Sequence, residues 1–259
     1  MALYSSILIQ KWLEGNLSPL QEHIADESLI TLVVNDSKLT QLLSSNDSLP
    51  HLAIGHLATE YGVRLHTDAG FIIEREPQHV SINLGQIESI QTIDIPRLVT
   101  TSCGGCDSPT VEGLMSSIPI VDDEKVNISI EDIHAIYQSH FDQSEGFSKT
   151  GGMHSASLVD KNGQLMVMKE DIGRHNAVDK VVGHALVEEQ IDQAVALLVS
   201  GRIGWDIVAK AGRMGIGTIV GLGACSTLAA EAARSSNISI ISFLKNDSAV
   251  VIGPVKIQM

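Results

Sequence analysis

The sequence predicts an α/β protein in which parallel strands alternate with crossover helices. Three aliphatic runs of buried-strand length occupy residues 194–199, 216–222 and 238–244. Helix-like segments at 205–213 and 227–234 separate these runs. Such an alternation is typical of parallel strands that are joined by helices in a layered sheet.

Composition fits a globular protein with an aliphatic core. The 259 residues are 44% hydrophobic but only 3% aromatic, so Val, Ile, Leu and Ala must fill the core. The net charge of −14 argues against nonspecific binding to nucleic acid or to anionic membranes. The chain has no apolar run of 18 residues and no basic start followed by an apolar segment. We therefore expect a cytoplasmic protein with no membrane partner.

Residues 1–100 are predicted to form a smaller N-terminal α+β domain. The short strand-like runs lie at 29–34, 71–74 and 80–84, and a helix-like stretch lies at 51–61. A junction at 101–128 then leads into a larger domain over 129–259, where the pattern of strands and helices becomes regular.

Local signals place the first elements of the larger domain. Ser129 is predicted to cap a helix, because Asp132 follows it by three positions. Asn162-Gly163 ends a turn between apolar segments at 158–160 and 164–168, which predicts a hairpin. A helix with one apolar face should follow; the residues on that face are Ala177, Val178, Val181, Val182, Ala185 and Leu186.

Cys103-Gly104-Gly105-Cys106 places two of the three cysteines of the chain in a polar, glycine-containing loop. Gly104 and Gly105 give the backbone wide freedom, and Pro109 nearby also favours a loop. Thiols in such a loop are accessible to a large partner. The stretch predicts reactive sulfur chemistry.

Three other interpretations of the two thiols stay open. They are an incidental pair of loop cysteines, half of a zinc site, or a disulfide-exchange motif. Zinc needs four ligands, and only one further cysteine exists, Cys225, so we expect no structural metal. A thioredoxin-like motif expects a helix after the first thiol, whereas Asp107-Ser108-Pro109 follows here.

Polar segments follow several predicted strands and point to an anion-binding edge. His154 lies in a glycine-containing stretch, and Arg174, His175 and Asn176 lie where a strand leads into a helix. Arg202 follows the strand at 194–199. Helix N-termini and guanidinium groups favour phosphates, and the carboxyl ends of parallel strands share one edge. The glycines at 221–223 resemble a truncated dinucleotide fingerprint, but tight packing explains them better.

These segments together resemble the FdhD family of sulfur carriers that are needed to activate formate dehydrogenase. The matching stretches are residues 50–57, 103–106, 150–154, 170–180, 200–202 and 224–245. The resemblance implies a cytidine-deaminase-like three-layer α/β/α domain beside the smaller N-terminal domain. It does not imply deamination, because no Glu lies two positions after His154 and the cysteines precede that histidine.

The resemblance also implies a function and a site. The protein would accept persulfide sulfur from a cysteine desulfurase on Cys103 and pass it to a molybdenum or tungsten bis-guanine-dinucleotide pterin cofactor. Cys106 would relay the sulfur or resolve the persulfide. The resemblance further implies a homodimer, with formate dehydrogenase as the client. The implied cofactor-contact segment is Phe243, Leu244, Lys245, Asn246, Asp247 and Ser248, besides His154, Arg174, His175, Asn176 and Arg202.

The chain departs from the family pattern at three places. Asp107 stands where glycine is common, and Asn246-Asp247-Ser248 stands where Pro-Gly-Arg is common. The N-terminal helix ends in Glu60-Tyr61-Gly62 and lacks the usual acidic-glycine ending. Two alternatives to the sulfur carrier remain. A noncatalytic chaperone would hold the cofactor or the apo-enzyme without needing thiols, whereas a thiol–disulfide oxidoreductase would need both thiols and no nucleotide-like ligand.

Overall fold

The computed structural model describes residues 3–90, 110–122, 128–245 and 248–257. Its strands are β1 (Tyr4–Leu13), β2 (Asn16–Ala25), β3 (Ser28–Val34), β4 (Ser37–Ser44), β5 (Ile72–Glu76), β6 (His79–Asn83), β7 (His154–Asp160), β8 (Leu165–Asp171), β9 (Ala194–Val199), β10 (Thr218–Gly221), β11 (Ser239–Ser242) and β12 (Val250–Ile252). Its helices are α1 (Leu49–Tyr61), α2 (Val111–Ser116), α3 (Ile130–Asp142), α4 (Glu145–Thr150), α5 (Arg174–Val187), α6 (Trp205–Arg213) and α7 (Thr227–Ser235).

The largest sheet in the described part of the chain has the strand order β12-β11-β10-β9-β7-β8. Strands β9, β10 and β11 are parallel, and helices α6 and α7 connect them, as the sequence predicts. Strand β7 is antiparallel to both β8 and β9, and β12 is antiparallel to β11. The sheet is therefore mixed, with a parallel centre.

Helices cover both faces of this sheet. In β9, Leu197 and Val199 pack in the core formed with α5, α6 and α7. Ala196 and Leu198, which alternate with them, pack in a second core together with Tyr137 of α3. Because neighbouring strand residues point to opposite faces, one aliphatic run supplies both cores. The arrangement has three layers, α/β/α. The more specific cytidine-deaminase-like description stays a prediction.

The N-terminal part contains a four-stranded mixed sheet of order β4-β3-β6-β5. The predicted strands at 29–34, 71–74 and 80–84 are confirmed as β3, β5 and β6 within one or two residues at each end. Strand β4 and the β1–β2 ribbon were not predicted. The division near residue 100 falls outside the described residues and stays a prediction.

Helix α1 joins the two sheets. Leu52 and Leu57 pack in the core of the four-stranded sheet, whereas Ile54 and Ala58 pack in the core of the larger one. A helix that is apolar on several faces is stable only when it is surrounded. Gly62 in the left-handed region (φ 69°) ends the helix, and its N–H donates to the carbonyl of Ala58.

Buried charges fix α1 to α5 and α6. The Nζ of Lys210 lies 2.7 Å from Oδ1 of Asp179 and 2.6 Å from Oε1 of Glu60. The carboxylate of Asp179 is also paired with His56 and accepts a hydrogen bond from Thr59. Burial alone would raise the pKa of Asp179, but Lys210 and His56 lower it to about 2. The three helices are thus joined through one buried ionic cluster.

The local signals of the larger domain are confirmed. The backbone N–H of Asp132 donates to Ser129 Oγ, and the carboxylate of Asp132 accepts from the N–H of Ser129, which completes a capping box. Strands β7 and β8 form the predicted hairpin.

None of the helices in the described ranges is long and apolar enough to span a lipid bilayer.

Candidate functional site

Three loops meet at one edge of the large sheet. Strand β7 begins at His154, which is paired with Asp171 at the end of β8. Because β9 also runs opposite to β7, the end of β9 at Val199 lies beside the start of β7. The segments around His154, Arg174 and Arg202 therefore share this edge, as the sequence predicts.

Gly201 allows these loops to approach closely. A Cβ at this position would lie 3.3 Å from Nδ1 of His154 and 3.5 Å from Cδ of Arg174. The preceding hydroxyl, Ser200 Oγ, accepts the backbone N–H of Ser155 at 3.0 Å and lies 3.4 Å from His154 Nδ1. The imidazole of His154 and the side chain of Arg174 thus contact the same short loop.

The electrostatics of the edge keep His154 neutral. Burial lowers the pKa of His154 most, and the positive charges of Arg174 and Arg202 lower it further. A neutral imidazole donates one hydrogen bond from one ring nitrogen and accepts one at the other. The arginines supply the positive charge that attracts an anion.

Asp206 is the residue of this site that sequence reasoning missed. Its carboxylate lies in the first turn of α6, 3.4 Å from Nη2 of Arg174, and it also contacts Nε2 of His175. The side chain of Asp206 is only 12% exposed, so it holds both neighbours in place. An acidic residue in the first turn of a helix, directly after the Ser200–Arg202 stretch, was the available signal.

The guanidinium group of Arg174 does not have all of its N–H donors paired within the described structure. Its Nε is buried and has no hydrogen-bond partner in the described structure, while 30% of the side chain is exposed. A buried donor without a partner carries a desolvation cost of about 1–3 kcal/mol. Only an acceptor that reaches Nε itself would remove that cost.

Asn176 and Asp171 point into the protein. The amide of Asn176 donates to the carbonyl of Leu43 and to Oδ1 of Asp171, so both of its N–H groups are used internally. A direct contact between Asn176 and a cofactor stays a prediction. The geometry instead gives Asn176 a role in joining β4 to the start of α5.

Lys180 continues this internal network. Its buried Nζ lies 2.7 Å from Oδ2 of Asp171 and 2.7 Å from Oδ1 of Asp47. The hydroxyls of Ser44 and Ser45 donate to the same Oδ2 of Asp171. The segment after β4 is thereby fastened to β8 and α5. Much of the polar stretch at 170–180 holds the fold together, whereas Arg174 faces the edge.

Glu170 and the turn at Cys225 are also structural. The carboxylate of Glu170 accepts the backbone N–H groups of Gly146 and Phe147 at the start of α4, both at 2.8 Å. Cys225 forms an isolated parallel bridge with Ile203, which ties the loop after β10 to the loop after β9. Burial raises the pKa of the Cys225 thiol, which disfavours a thiolate there.

The predicted C-terminal contact segment lies after β11, at the same edge. Phe243 is 48% exposed with φ 52°, Leu244 is buried, and Lys245 is exposed. The N–H of Lys245 donates to the carbonyl of Ser248. Asn246 and Asp247, and the two thiols Cys103 and Cys106, lie outside the described residues.

The site therefore defines a mixed α/β protein with a cationic, glycine-lined edge at the ends of its central strands. The model of the FdhD/NarQ family matches residues 25–254. The chain belongs to that family, which confirms the resemblance drawn from its motifs.

Relatives and a solved structure agree with this membership. The chain is 28% identical to the sulfur carrier protein FdhD of Bacillus pumilus over 93% of this chain and 92% of that protein. It is 39% identical to the protein of the same name in Thermoplasma volcanium, over 59% of this chain and 54% of that protein. A Desulfotalea psychrophila crystal structure, named for a formate dehydrogenase accessory protein, matches with a TM-score of 0.74 over 99% of this chain and 100% of that chain. At 22% identity, that likeness establishes the fold alone.

Proposed function

We propose that this protein is a sulfurtransferase that carries sulfur for the maturation of formate dehydrogenase in the cytoplasm. The observation that carries the proposal is membership of the FdhD/NarQ family together with the sequence Cys103-Gly104-Gly105-Cys106. Relatives that match most of this chain are named sulfur carrier proteins.

The proposed chemistry on Cys103 is sulfane exchange with a cysteine desulfurase. The Cys103 thiolate attacks the outer sulfur of the donor persulfide, a new S–S bond forms, and the donor cysteine leaves as a thiolate. Cys103 then carries the persulfide, and no external oxidant is consumed. Cys106 either accepts that outer sulfur in turn or displaces it as sulfide by forming a disulfide with Cys103.

The acceptor in this proposal is the molybdenum or tungsten bis-guanine-dinucleotide pterin cofactor, bound as a substrate. Its phosphates would bind at the strand-end edge, where 30% of the Arg174 side chain is exposed and Arg202 is exposed. His154, whose pKa both arginines lower, supplies one neutral hydrogen-bonding group. The carboxylate of Asp206 orients His175 beside Arg174.

The proposal is tested by following sulfur onto the protein. Full-length protein is incubated with a cysteine desulfurase and cysteine, and the peptides are analysed by mass spectrometry. We expect a 32-Da gain on the peptide that contains Cys103, in line with sulfane transfer to a thiolate. Cys225→Ala is the matched control and should label like the wild type, because its thiol has a raised pKa at a packed turn. Label on Cys225 alone, or no label from a proven donor, would reject the proposal.

Activation of formate dehydrogenase in cells separates the three hypotheses. A sulfur carrier predicts that Cys103→Ala abolishes activation and that Cys106→Ala is less severe. A chaperone that only holds the cofactor predicts near-normal activation by Cys103→Ala. An oxidoreductase predicts that both thiol variants fail alike while Arg174→Ala is harmless.

A further inference from the structure

Helix α2 lies on the surface of the protein and buries none of its six residues. Its N-terminus is capped, because the backbone N–H of Gly113 donates to Thr110 Oγ1 at 3.1 Å. Val111 is 55% exposed, and Leu114, which follows it by three positions on the same face, is half-buried. A helix of this length is only marginally stable by itself in water. Its exposed apolar side chains indicate a surface that another molecule can cover.

The segment after α2 is firmly attached to the larger sheet. Ile118 is buried against Gly212, where an added Cβ would lie 2.4 Å from Cγ2 of the isoleucine. The backbone N–H of Val121 donates to the carbonyl of Ser236 at 2.9 Å. Between these two anchors, Ile120 is 77% exposed. The segment thus holds one large apolar side chain in solvent at a defined place.

A cleft of about 320 Å³ opens beside Ile120. Its apolar lining includes Ile120, Val121, Ile191, Val195 and Met214. Two arginines also line the cleft, and both are paired: Arg64 with Asp192, and Arg213 with Glu60. The cleft therefore offers apolar contacts beside two compensated cations, as the cores of protein interfaces do.

The cleft and the strand-end edge lie at opposite edges of the large sheet. Ala194, which lines the cleft, is the first residue of β9, and Gly217, which also lines it, directly precedes β10. His154, Arg174 and Arg202 lie instead beside the end of β9. A protein bound at the cleft thus leaves the strand-end edge free for the cofactor and its client enzyme.

Chain length ties the two thiols to α2. Cys103 precedes Thr110 by seven residues, whereas it follows Ile90 by thirteen. Seven residues span at most about 25 Å, even when fully extended. An interface of ordinary size covers about 800 Å² on each partner, a patch roughly 32 Å across. A protein that delivers sulfur to Cys103 can therefore cover α2 in the same interface.

We propose that α2 and the cleft beside Ile120 form the docking surface for the sulfur donor, a desulfurase that presents a cysteine persulfide. This inference rests on the proposed sulfur transfer and names the surface that the donor binds. Val111, Leu114 and Ile120 lie in the core of that interface, and the cleft takes an apolar side chain of the donor. The donor and the cofactor then bind at opposite edges of one sheet.

Binding of the donor is measured by biolayer interferometry with full-length protein in which Cys103→Ser blocks sulfur transfer. Added to this background, Val111→Glu and Ile120→Lys should each raise the dissociation constant for the desulfurase about tenfold or more, because each puts a charge into an apolar contact. Ile120→Leu should stay within about threefold, since it keeps the apolar volume. Ile72→Lys is the matched control, because Ile72 is 60% exposed on β5 of the other sheet, and it should bind like the background protein.

Labelling of Cys103 separates docking from the chemistry of the thiol. With Cys103 intact, Val111→Glu and Ile120→Lys should take up label slowly at low desulfurase concentration and at the wild-type rate when the desulfurase is saturating. Inorganic polysulfide, which needs no docking, should label Cys103 equally in the wild type and in both variants. Circular dichroism and the melting temperature check that each variant is folded.

The outcomes distinguish this surface from the proposed function. Wild-type affinity and labelling in Val111→Glu and Ile120→Lys, with a wild type that does take label from the desulfurase, overturn the docking surface alone. A wild type that neither binds the desulfurase nor takes label from it rejects the proposed donor, and this surface with it. Variants that bind the desulfurase normally but fail to activate formate dehydrogenase would assign the surface to the client and overturn the proposal.

Discussion

Gly55 of α1 and Gly183 of α5 lie against each other with no room for a side chain on either. A Cβ on Gly55 would be 2.9 Å from the nitrogen of Gly183, and a Cβ on Gly183 would be 2.9 Å from the nitrogen of Gly55. The same added atoms would fall within 2 Å of the carbonyl oxygens of Asp179 and His51. The two helix backbones are therefore in direct contact.

Gly55→Ala is expected to destabilise the protein by about 3 kcal/mol or more, at the upper end of overpacking, because backbone rather than a flexible side chain must move. Urea unfolding followed by circular dichroism measures this change. Gly152→Ala is the matched control, since an added Cβ there meets its neighbours only at 3.7 Å or beyond. Equal unfolding free energies for the two variants would contradict the described contact.

Asp179→Asn is expected to cost about 3–5 kcal/mol at neutral pH, because it removes the more deeply buried of the two carboxylates that compensate Lys210. The difference from the wild type should be constant above pH 4 and should shrink as the pH falls towards 2. The pKa of Asp179 is lowered from 3.8 to about 2, so its stabilisation is fully present above the unfolded value and is lost below it.

The measurement for Asp179→Asn is urea unfolding at a series of pH values from 7 to 2.5. Asp192→Asn is the control, because Asp192 pairs with Arg64 through a side chain that is 91% exposed. That exposed pair should contribute less than about 1 kcal/mol. A difference between Asp179→Asn and the wild type that is independent of pH would argue against the ion pair.

Arg174→Ala is expected to weaken the binding of guanosine diphosphate by about 1.5–3 kcal/mol, which is roughly 10- to 150-fold. The reason is the loss of a charged hydrogen bond at the strand-end edge. Isothermal calorimetry at two salt concentrations measures it, and binding by the wild type should weaken with salt. Arg75→Ala, on β5 of the other sheet, should bind like the wild type. Equal affinity for Arg174→Ala would move the nucleotide site elsewhere.

Asp206→Asn is expected to lower the pKa of His175 below its value in the wild type. Burial already lowers that pKa most, and the carboxylate of Asp206 is the main group that raises it. Without that negative charge, burial, Arg174 and Lys210 lower the pKa of His175, and only Asp179 opposes them. NMR titration of the His175 ring measures the shift, and Asp206→Glu, which keeps the charge, is the control. An unchanged pKa of His175 in Asp206→Asn would show that the Asp206 carboxylate does not raise that pKa.

Strands and helices with an aliphatic core face were predictable from the sequence. Helix α6 has the predicted bounds of 205–213, and β9 has the predicted bounds of 194–199, because a short apolar run between polar loops leaves few alternatives. The common edge for His154, Arg174 and Arg202 was also predictable, because it follows from strand direction. The ribbon was missed since apolar residues occur on both of its faces, which hides the alternation of a strand.

The direction of polar side chains was not predictable. A polar stretch at a helix N-terminus offers the same residue types whether they meet a ligand or the protein itself. Asn176 and Lys180 lie in such a stretch, yet they bond to Leu43 and Asp171 in the interior. Only tertiary packing, which brings the end of β4 against α5, distinguishes the two cases.

The glycine contact between α1 and α5 also determines when α1 can be buried while the chain is being synthesised. Helix α1 leaves the ribosome about 125 residues before α5 does. Until α5 follows, the side of α1 that carries Ile54, Gly55 and Ala58 has no native partner. A domain that folds as a unit during translation forms its native contacts as it emerges from the ribosome. In this protein one side of α1 instead waits, with an apolar surface exposed, for a helix that is encoded in the last third of the chain.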